Sequence, residues 1–167
     1  MKILLDNNSF DFILHNEKMI QQVQSNFEFY YIWSQEIELE KINNLSKKMK
    51  LKEIKLTFSQ ETAGGFMINA PCLNRQCYFV EQSIQNKIEK ILIKHGCKKN
   101  NRQENFMHDL NLAITAYINK YTVLTNDGNN KKQAGLLSAL RELEIDCFSH
   151  DDFNSLLLQT TNKNCIS

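Results

Sequence analysis

Short apolar runs alternate with longer amphipathic stretches along the chain, and this alternation predicts strands separated by helices. In the first part of the chain, residues 2–6 are typical of a strand, 9–25 of one or two helices, and the aromatic stretch 28–34 of a second strand. Ser34 then occupies an N-cap position ahead of the helix-forming run QEIELEKINNL. The pattern therefore predicts a strand–helix–strand–helix order.

The same alternation returns in the second half of the chain. The predicted elements are a helix at 105–120, a strand at 121–127, a helix at 131–144, a strand at 145–149 and a terminal helix capped by Ser149 or Asp151. Strands buried on both faces lack hydrophobic alternation, which fits the runs KILL and TVL. We therefore predict a three-layer α/β/α sandwich with a central parallel sheet.

Residues 59–80 interrupt this order. They contain Gly64, Gly65, the only proline (Pro71) and two of the cysteines, Cys72 and Cys77. We predict a loop or hairpin insertion there, within a single domain that spans residues 1–167.

Composition is that of a soluble globular domain, with 42% hydrophobic and 23% charged residues in a chain of 167. No apolar run approaches the roughly 20 residues that a membrane span needs, and Asp6 ends the first run too early for a signal peptide. Five cysteines, an odd number, favour reduced thiols in a cytoplasmic protein. The net charge of +1 predicts no polyanion partner by itself, although lysines cluster at 47–55.

Two acids follow predicted strands directly. Asp6 ends the first strand, and Asp127 ends the strand at 121–127. Because ligands of open parallel sheets bind outside the carboxyl ends of the strands, both carboxylates should lie in one crevice. Carboxylates held close together repel one another unless a cation lies between them, and oxygen ligands suit Mg²⁺ or Mn²⁺. Replacing Asp6, Asp127 or Asp109, an acid of the predicted helix at 105–120, by asparagine should then leave the metal-free protein at least as stable.

Two further acids could join this crevice. Asp109 lies on the apolar face of the helix at 105–120, and Glu40 follows the second strand, with Glu36 one turn before it. Local roles remain open for all of them. Asp6 could cap a helix that starts near Ser9, Asp127 could belong to a turn, and the acids on the two helices could face solvent.

Four stretches resemble successive motifs of PIN-domain nucleases, in the same order: ILLDNNSFDFIL, WSQEIELEKI, HDLNLAITAYINKYTVLTND and LSALRELEIDCFSHDDF. The resemblance covers the first 45 residues and about 105–155, and the family includes the toxins of VapBC-type toxin–antitoxin pairs. It implies a Mg²⁺- or Mn²⁺-dependent endoribonuclease with RNA as substrate, and an antitoxin protein and a second copy of the chain as candidate partners. Carried over by position, the catalytic and metal-binding acids are Asp6, Glu40, Asp109 and Asp127, with Asn7 or Asn8, Thr125 and Asn126 as supporting groups.

Two other assignments compete with the nuclease. The run LLDNNS faintly resembles the first motif of haloacid-dehalogenase-type phosphatases, but that motif needs a second acid where Asn8 stands. A catalytically silent PIN-like module that binds RNA or protein is the non-enzymatic alternative. The histidines have no ligand-like spacing, and we expect His108 to be packed or solvent-facing rather than catalytic.

Overall fold

The computed structural model describes most of the chain. The described residues are 1–23, 26–32, 35, 40–57, 59–60, 64–65, 77–78, 80–97, 103–128 and 134–164. Of these, side chains are not described at 23, 52–57, 59–60, 64–65, 77–78, 103–104 and 162–164.

Five parallel strands form the central sheet. They are β1 (Lys2–Leu5), β2 (Glu28–Tyr31), β3 (Ser59–Gln60), β6 (Thr122–Leu124) and β7 (Cys147–Phe148), in the spatial order β3-β2-β1-β6-β7. Every pairing between neighbours is parallel. Two further short strands, β4 (Gly64–Gly65) and β5 (Cys77–Tyr78), pair with each other in parallel as a separate sheet.

Seven helices accompany the strands in the described part of the chain. They are α1 (Ser9–His15), α2 (Glu17–Val23), α3 (Leu45–Thr57), α4 (Gln82–Lys94), α5 (Gln103–Asn119), α6 (Leu136–Glu142) and α7 (His150–Asn164). Within this part of the chain, each helix is too short or too polar to cross a membrane.

Alternate residues of the central strands enter two different hydrophobic cores. Leu4, Tyr30 and Val123 pack with apolar residues of α4, α5 and α6. Their neighbours along the strands, such as Leu5 and Leu124, pack with residues of α1, α2, α3 and α7. Because successive side chains of a strand point to opposite faces, the two cores lie on the two faces of the sheet. The fold is thus mixed α/β, with an all-parallel sheet as an α/β sandwich requires.

Most predicted elements are confirmed, with shorter strands than the pattern suggested. Ser149 is confirmed as the cap of α7: its Oγ accepts a hydrogen bond from the N–H of Asp152 at 3.1 Å, and the Asp152 carboxylate accepts one from the N–H of Ser149 at 3.3 Å. This is a reciprocal capping arrangement with aspartate in the third helical position. The predicted N-cap Ser34 and most of the predicted helix at 35–45 lie outside the described residues.

The segment 59–80 differs from a simple hairpin where it is described. Ser59–Gln60 joins the edge of the central sheet beside β2, and Gly64–Gly65 pairs with Cys77–Tyr78 in parallel, whereas a hairpin would pair them antiparallel. Residues 61–63, 66–76 and 79 lie outside the described part, so the predicted insertion stays a prediction there.

The strand order changes direction between β1 and β6. From β1 the chain builds β2 and then β3 on one side, whereas β6 and β7 are added on the other side. Strands β1 and β6 are paired in register, with Leu5 opposite Leu124. In open parallel sheets, the crevice beyond the carboxyl ends of such a pair is the usual ligand site.

Candidate active site

Asp6 stands at the carboxyl end of β1, in this crevice. Its backbone N–H donates to the carbonyl of Leu124 at 3.0 Å, which extends the β1–β6 ladder by one residue. Its side chain is buried, with the residue 5% exposed. The N-cap of α1 is Asn8, and the N–H of Ser9 donates to the backbone carbonyl of Asp6 rather than to its carboxylate. The Asp6 carboxylate is therefore directed into the crevice rather than used as a cap of α1.

Four donors surround the Asp6 carboxylate. Oδ1 accepts from the backbone N–H of Asn7 at 2.7 Å and lies 3.2 Å from Nε2 of His108. Oδ2 accepts from Nδ2 of Asn8 at 2.6 Å and from Oγ1 of Thr125 at 2.6 Å. Burial raises the pKa of Asp6, but the hydrogen bond and charge of His108 and the bonds from Thr125 and Asn7 outweigh it, and the pKa lies below its usual value. Asp6 is thus held as a carboxylate.

Asp109 lies close to Asp6 on α5. Burial and the negative charges of Asp6 and Asp127 together raise its pKa to about 7, although His108 and a hydrogen bond from the Cys97 thiol act in the opposite direction. Burial and the carboxylates of Asp109 and Asp127 raise the pKa of Cys97 to about 12, so this thiol stays protonated. The predicted alternative in which Asp109 faces open solvent does not apply.

Asp127 follows β6 at the exposed mouth of the crevice. Its Oδ2 accepts from the N–H of Leu136, the first residue of α6, at 3.0 Å. The next residue, Gly128, has φ +82°, and a Cβ there would lie 2.9 Å from the backbone of Gly135. The turn at Asp127–Gly128 is therefore real, and only glycine fits it without strain. The turn also leaves the Asp127 carboxylate close enough to Asp109 to raise its pKa.

The supporting polar groups lie at the two strand ends. Thr125 is fully buried, and besides its bond to Asp6 its Oγ1 accepts from the N–H of Asp127 at 3.1 Å. Of the two asparagines left open, the Asn8 side chain bridges the strand ends: it donates to Asp6 and accepts from the N–H of Asn126 at 3.0 Å. Asn7 contributes its backbone N–H to the Asp6 carboxylate, and Asn126 is exposed.

Glu40 lies at the surface. Its carboxylate forms a 2.7 Å ion pair with Lys48 of α3, and its side chain is 59% exposed. Glu36, the other candidate for this acid, lies outside the described residues. The structure therefore brings Asp6, Asp109 and Asp127 together, while the fourth acid remains a prediction. Lys47, another member of the lysine cluster, pairs with Asp11 at 2.7 Å.

Further polar contacts stabilise the ends of β1 and β6 next to Asp6. The fully buried Gln35 donates through Nε2 to the carbonyl of Leu5 at 2.6 Å. Ser9, also fully buried, donates to the carbonyl of Leu124 at 2.7 Å, so its Oγ accepts at 3.0 Å from Nε2 of His150. Burial lowers the pKa of His150, and the nearby Asp6 and Asp151 act in the opposite direction.

Sequence reasoning missed three side chains of this cluster. His108 was expected to be packed or solvent-facing. It is packed, and the group it contacts is the Asp6 carboxylate. Cys97 contacts Asp109, and His150 lies within the electrostatic range of Asp6. The adjacency of His108 and Asp109 was visible, but a lone histidine beside an acid has no distinctive spacing. Cys97 and His150 reach the crevice only through tertiary packing.

The donor set suits a hard divalent cation. Carboxylate oxygens from Asp6, Asp109 and Asp127 share one electrostatic field, and a cation among them would relieve the repulsion that raises the pKa of Asp109. Among the described residues, no three histidine, cysteine, aspartate or glutamate side chains stand close enough to form a preformed ligand cluster. Mg²⁺ in particular keeps several waters and often uses only one or two carboxylates together with substrate phosphates, so these residues fit it without a closed cage.

The functional assignment of this chain depends on the geometry of the site. No family model and no curated protein sequence matches the chain. The geometry is a buried, ionised aspartate at the carboxyl end of β1, a second acid after the adjacent parallel strand β6, and a third on α5 whose pKa the other two help to raise.

Proposed function

We propose that the chain is a ribonuclease of PIN-like architecture that hydrolyses RNA phosphodiester bonds with Mg²⁺ or Mn²⁺. The observation that carries this proposal is the convergence of three acids, Asp6 at the end of β1, Asp127 after β6, and Asp109 on α5; burial and the charges of the other two raise the pKa of Asp109 to about 7. Like charges that lie near one another repel, and an acid in a crevice whose pKa is perturbed by burial and specific charged partners is a candidate functional group. The site also lies where the sheet order changes direction, which is the usual ligand position in such sheets.

The fold supports a three-layer PIN-like arrangement. Apolar residues of α4, α5 and α6 pack in one core and those of α1, α2, α3 and α7 in the other, and β1, β2 and β6 contribute to both. The stretches that resemble PIN-domain motifs contain β1, β6 and the described acids Asp6, Asp109 and Asp127. Resemblance and geometry thus point to the same three acids.

Each acid has a distinct task in this proposal. Asp6 supplies a permanent negative charge, because its four donors keep the carboxylate ionised. Asp109 supplies a second carboxylate deeper in the crevice, and Asp127 a third at its exposed mouth, where RNA can approach. A divalent cation held by these acids would supply an activated water and would offset the charge of the phosphoryl oxygens. Asn8 and Thr125 hold both strand ends at Asp6 and so keep the first and third acids in register.

A catalytically silent PIN-like module remains the second candidate. The position of Glu40 favours it, because a four-acid site would need this side chain near the crevice, whereas it is ion-paired with Lys48 at the surface. Calorimetric titration with Mn²⁺ separates the two candidates, because a silent pocket should bind the ion weakly or not at all. A toxin role, an antitoxin partner and a homodimer are further parts of the proposal that follow from the resemblance alone, and a cytoplasmic location follows from the odd number of cysteines.

The decisive experiment is Mn²⁺-dependent cleavage of structured and unstructured RNA by the parent chain and by Asp6→Asn, Asp109→Asn and Asp127→Asn. We expect each replacement to lower the cleavage rate by at least about 100-fold, since each removes one charge from the cation site. Asp146→Asn is the matched control, because Asp146 is an exposed aspartate just before β7. Full cleavage activity in the Asp6→Asn protein, or a rate independent of Mn²⁺, would refute the proposal.

A further inference from the structure

His108 is a buried side chain for which the roles assigned so far give no task. It lies on α5 directly before Asp109 and is 5% exposed. Its Nε2 lies 3.2 Å from Oδ1 of Asp6 on the adjacent strand end. Two consecutive residues of α5 therefore interact with the Asp6 carboxylate. His108 contacts it directly, and Asp109 interacts with it through its charge.

The origin of the four donors distinguishes His108 from the others. Asn7 and Asn8 belong to the turn that follows Asp6, and Thr125 belongs to the paired strand end. These three donors fix the Asp6 carboxylate relative to the sheet edge. Among these four donors, His108 is the one that comes from a helix, and it fixes the same carboxylate relative to α5.

This link has a consequence for Asp109. Asp6 and Asp109 repel each other when both are ionised, so the helix and the sheet edge tend to separate at this point. The contact between His108 and Asp6 opposes that separation. Because His108 and Asp109 are adjacent on one rigid helix, the same contact also restrains Asp109 relative to Asp6. The contact between His108 and Asp6 thus acts against the repulsion between the two carboxylates.

We propose that His108 is a positioning residue, whose Nε2–H holds Asp6 at a fixed separation from Asp109 so that both carboxylates face one divalent cation. The inference rests on the proposed function. It predicts that the hydrogen-bond donor at position 108 matters, and not only the volume of the side chain.

Two variants separate these roles. His108→Gln retains an N–H donor of similar reach, whereas His108→Leu keeps an apolar body without a donor. His95→Leu is the matched control, because His95 is also a partly buried histidine whose Nε2 contacts a carboxylate, that of Glu142, at 2.6 Å. Circular dichroism and thermal unfolding establish that each variant is folded before it is used.

Calorimetric titration with Mn²⁺ is the first measurement. We expect His108→Leu to bind Mn²⁺ about 10- to 100-fold more weakly than the parent chain, which is the usual effect of losing a hydrogen bond to a metal-binding carboxylate. His108→Gln should stay within several-fold of the parent, and His95→Leu should match it. RNA cleavage by His108→Leu should need correspondingly more Mn²⁺ for half its maximal rate and should recover at saturating Mn²⁺. Equal Mn²⁺ affinity in the Leu and Gln variants would overturn the proposal.

A second measurement uses the metal-free protein. The buried Nε2–H of His108 should give a ¹⁵N–¹H signal that is protected from exchange with water, and this signal should be lost in Asp6→Ala but kept in Asp127→Asn. Its absence from the parent chain would overturn the positioning role whatever the protein does with metal. A parent chain that shows the signal but binds no Mn²⁺ and cleaves no RNA would instead refute the proposed function. The two failures are therefore distinguishable.

Discussion

Replacing Asp109 by asparagine should stabilise the metal-free protein, and increasingly so as pH rises. The pKa of Asp109 lies at about 7 in the folded protein against 3.8 for an unperturbed aspartate. A group whose folded pKa is raised binds more protons in the folded state between these two values, so stability falls as pH rises through that window. Asparagine has the same shape and no charge, so Asp109→Asn should not show this loss.

The magnitude follows from the two pKa values. Each tenfold change in an ionisation constant corresponds to about 1.4 kcal/mol, so ionised Asp109 costs the folded protein about 4 kcal/mol above pH 7. At about pH 5 the same linkage gives a cost on the order of 2 kcal/mol, because the unfolded chain is already ionised there. The stability advantage of Asp109→Asn should therefore grow by about 2 kcal/mol between pH 5 and pH 8.

Urea unfolding followed by circular dichroism measures this difference, with EDTA present and the pH varied from about 5 to 8. Asp146→Asn, at an exposed position, serves as the control and should track the parent chain. Asp6→Asn should behave in the opposite way and destabilise the protein by about 1.5–3 kcal/mol, because it disrupts charge-assisted hydrogen bonds. The sequence predicted that removing an acid leaves the metal-free protein at least as stable. For Asp6, the hydrogen bonds in the structure predict the opposite.

An Asp109→Asn protein that is less stable than the parent across this range would refute the reasoning. So would a difference that does not change with pH, because the postulated cost comes from ionisation alone. Saturating Mn²⁺ should then invert the order, since a ligand that binds only the folded parent stabilises it in proportion to the logarithm of its concentration.

Three further predictions concern residues outside the three central acids. Glu40→Gln should lower Mn²⁺-dependent cleavage by orders of magnitude if the Glu40 side chain turns to the crevice, and Glu36→Gln should lower it much less. Equal cleavage rates in Glu40→Gln and the parent would show that Glu40 serves only in its surface ion pair. Replacing the four lysines at 47–52 by alanine should flatten the salt dependence of RNA binding, and an unchanged salt slope would exclude them from the interface. Ser149→Ala should lower the unfolding free energy by about 1 kcal/mol, because it removes the cap of α7, and a loss below a few tenths in urea unfolding would contradict this.

The alternation of apolar and polar residues was sufficient to predict the elements that build the site. It placed β1, β6 and α5, and it placed Asp6 and Asp127 directly after their strands, because strand burial and helix periodicity are local properties of the sequence. It did not predict α3 or α4. The two helices flank the segment 59–80: α3 is only weakly amphipathic, whereas α4 has apolar residues at helical spacing that local periodicity alone could have identified.

The tertiary structure alone decided how the acids are used. Pairing of β1 with β6 brings Thr125 to Asp6, and packing of α5 on the sheet adds His108 and Asp109. These contacts join residues more than 100 positions apart in the chain. A hydrogen bond or a charge–charge repulsion depends on distance in space, which local periodicity does not contain. The sequence therefore determined which acids stand at strand ends, and only the packed structure decided that Asp6 stays ionised while Asp109 holds its proton to about pH 7.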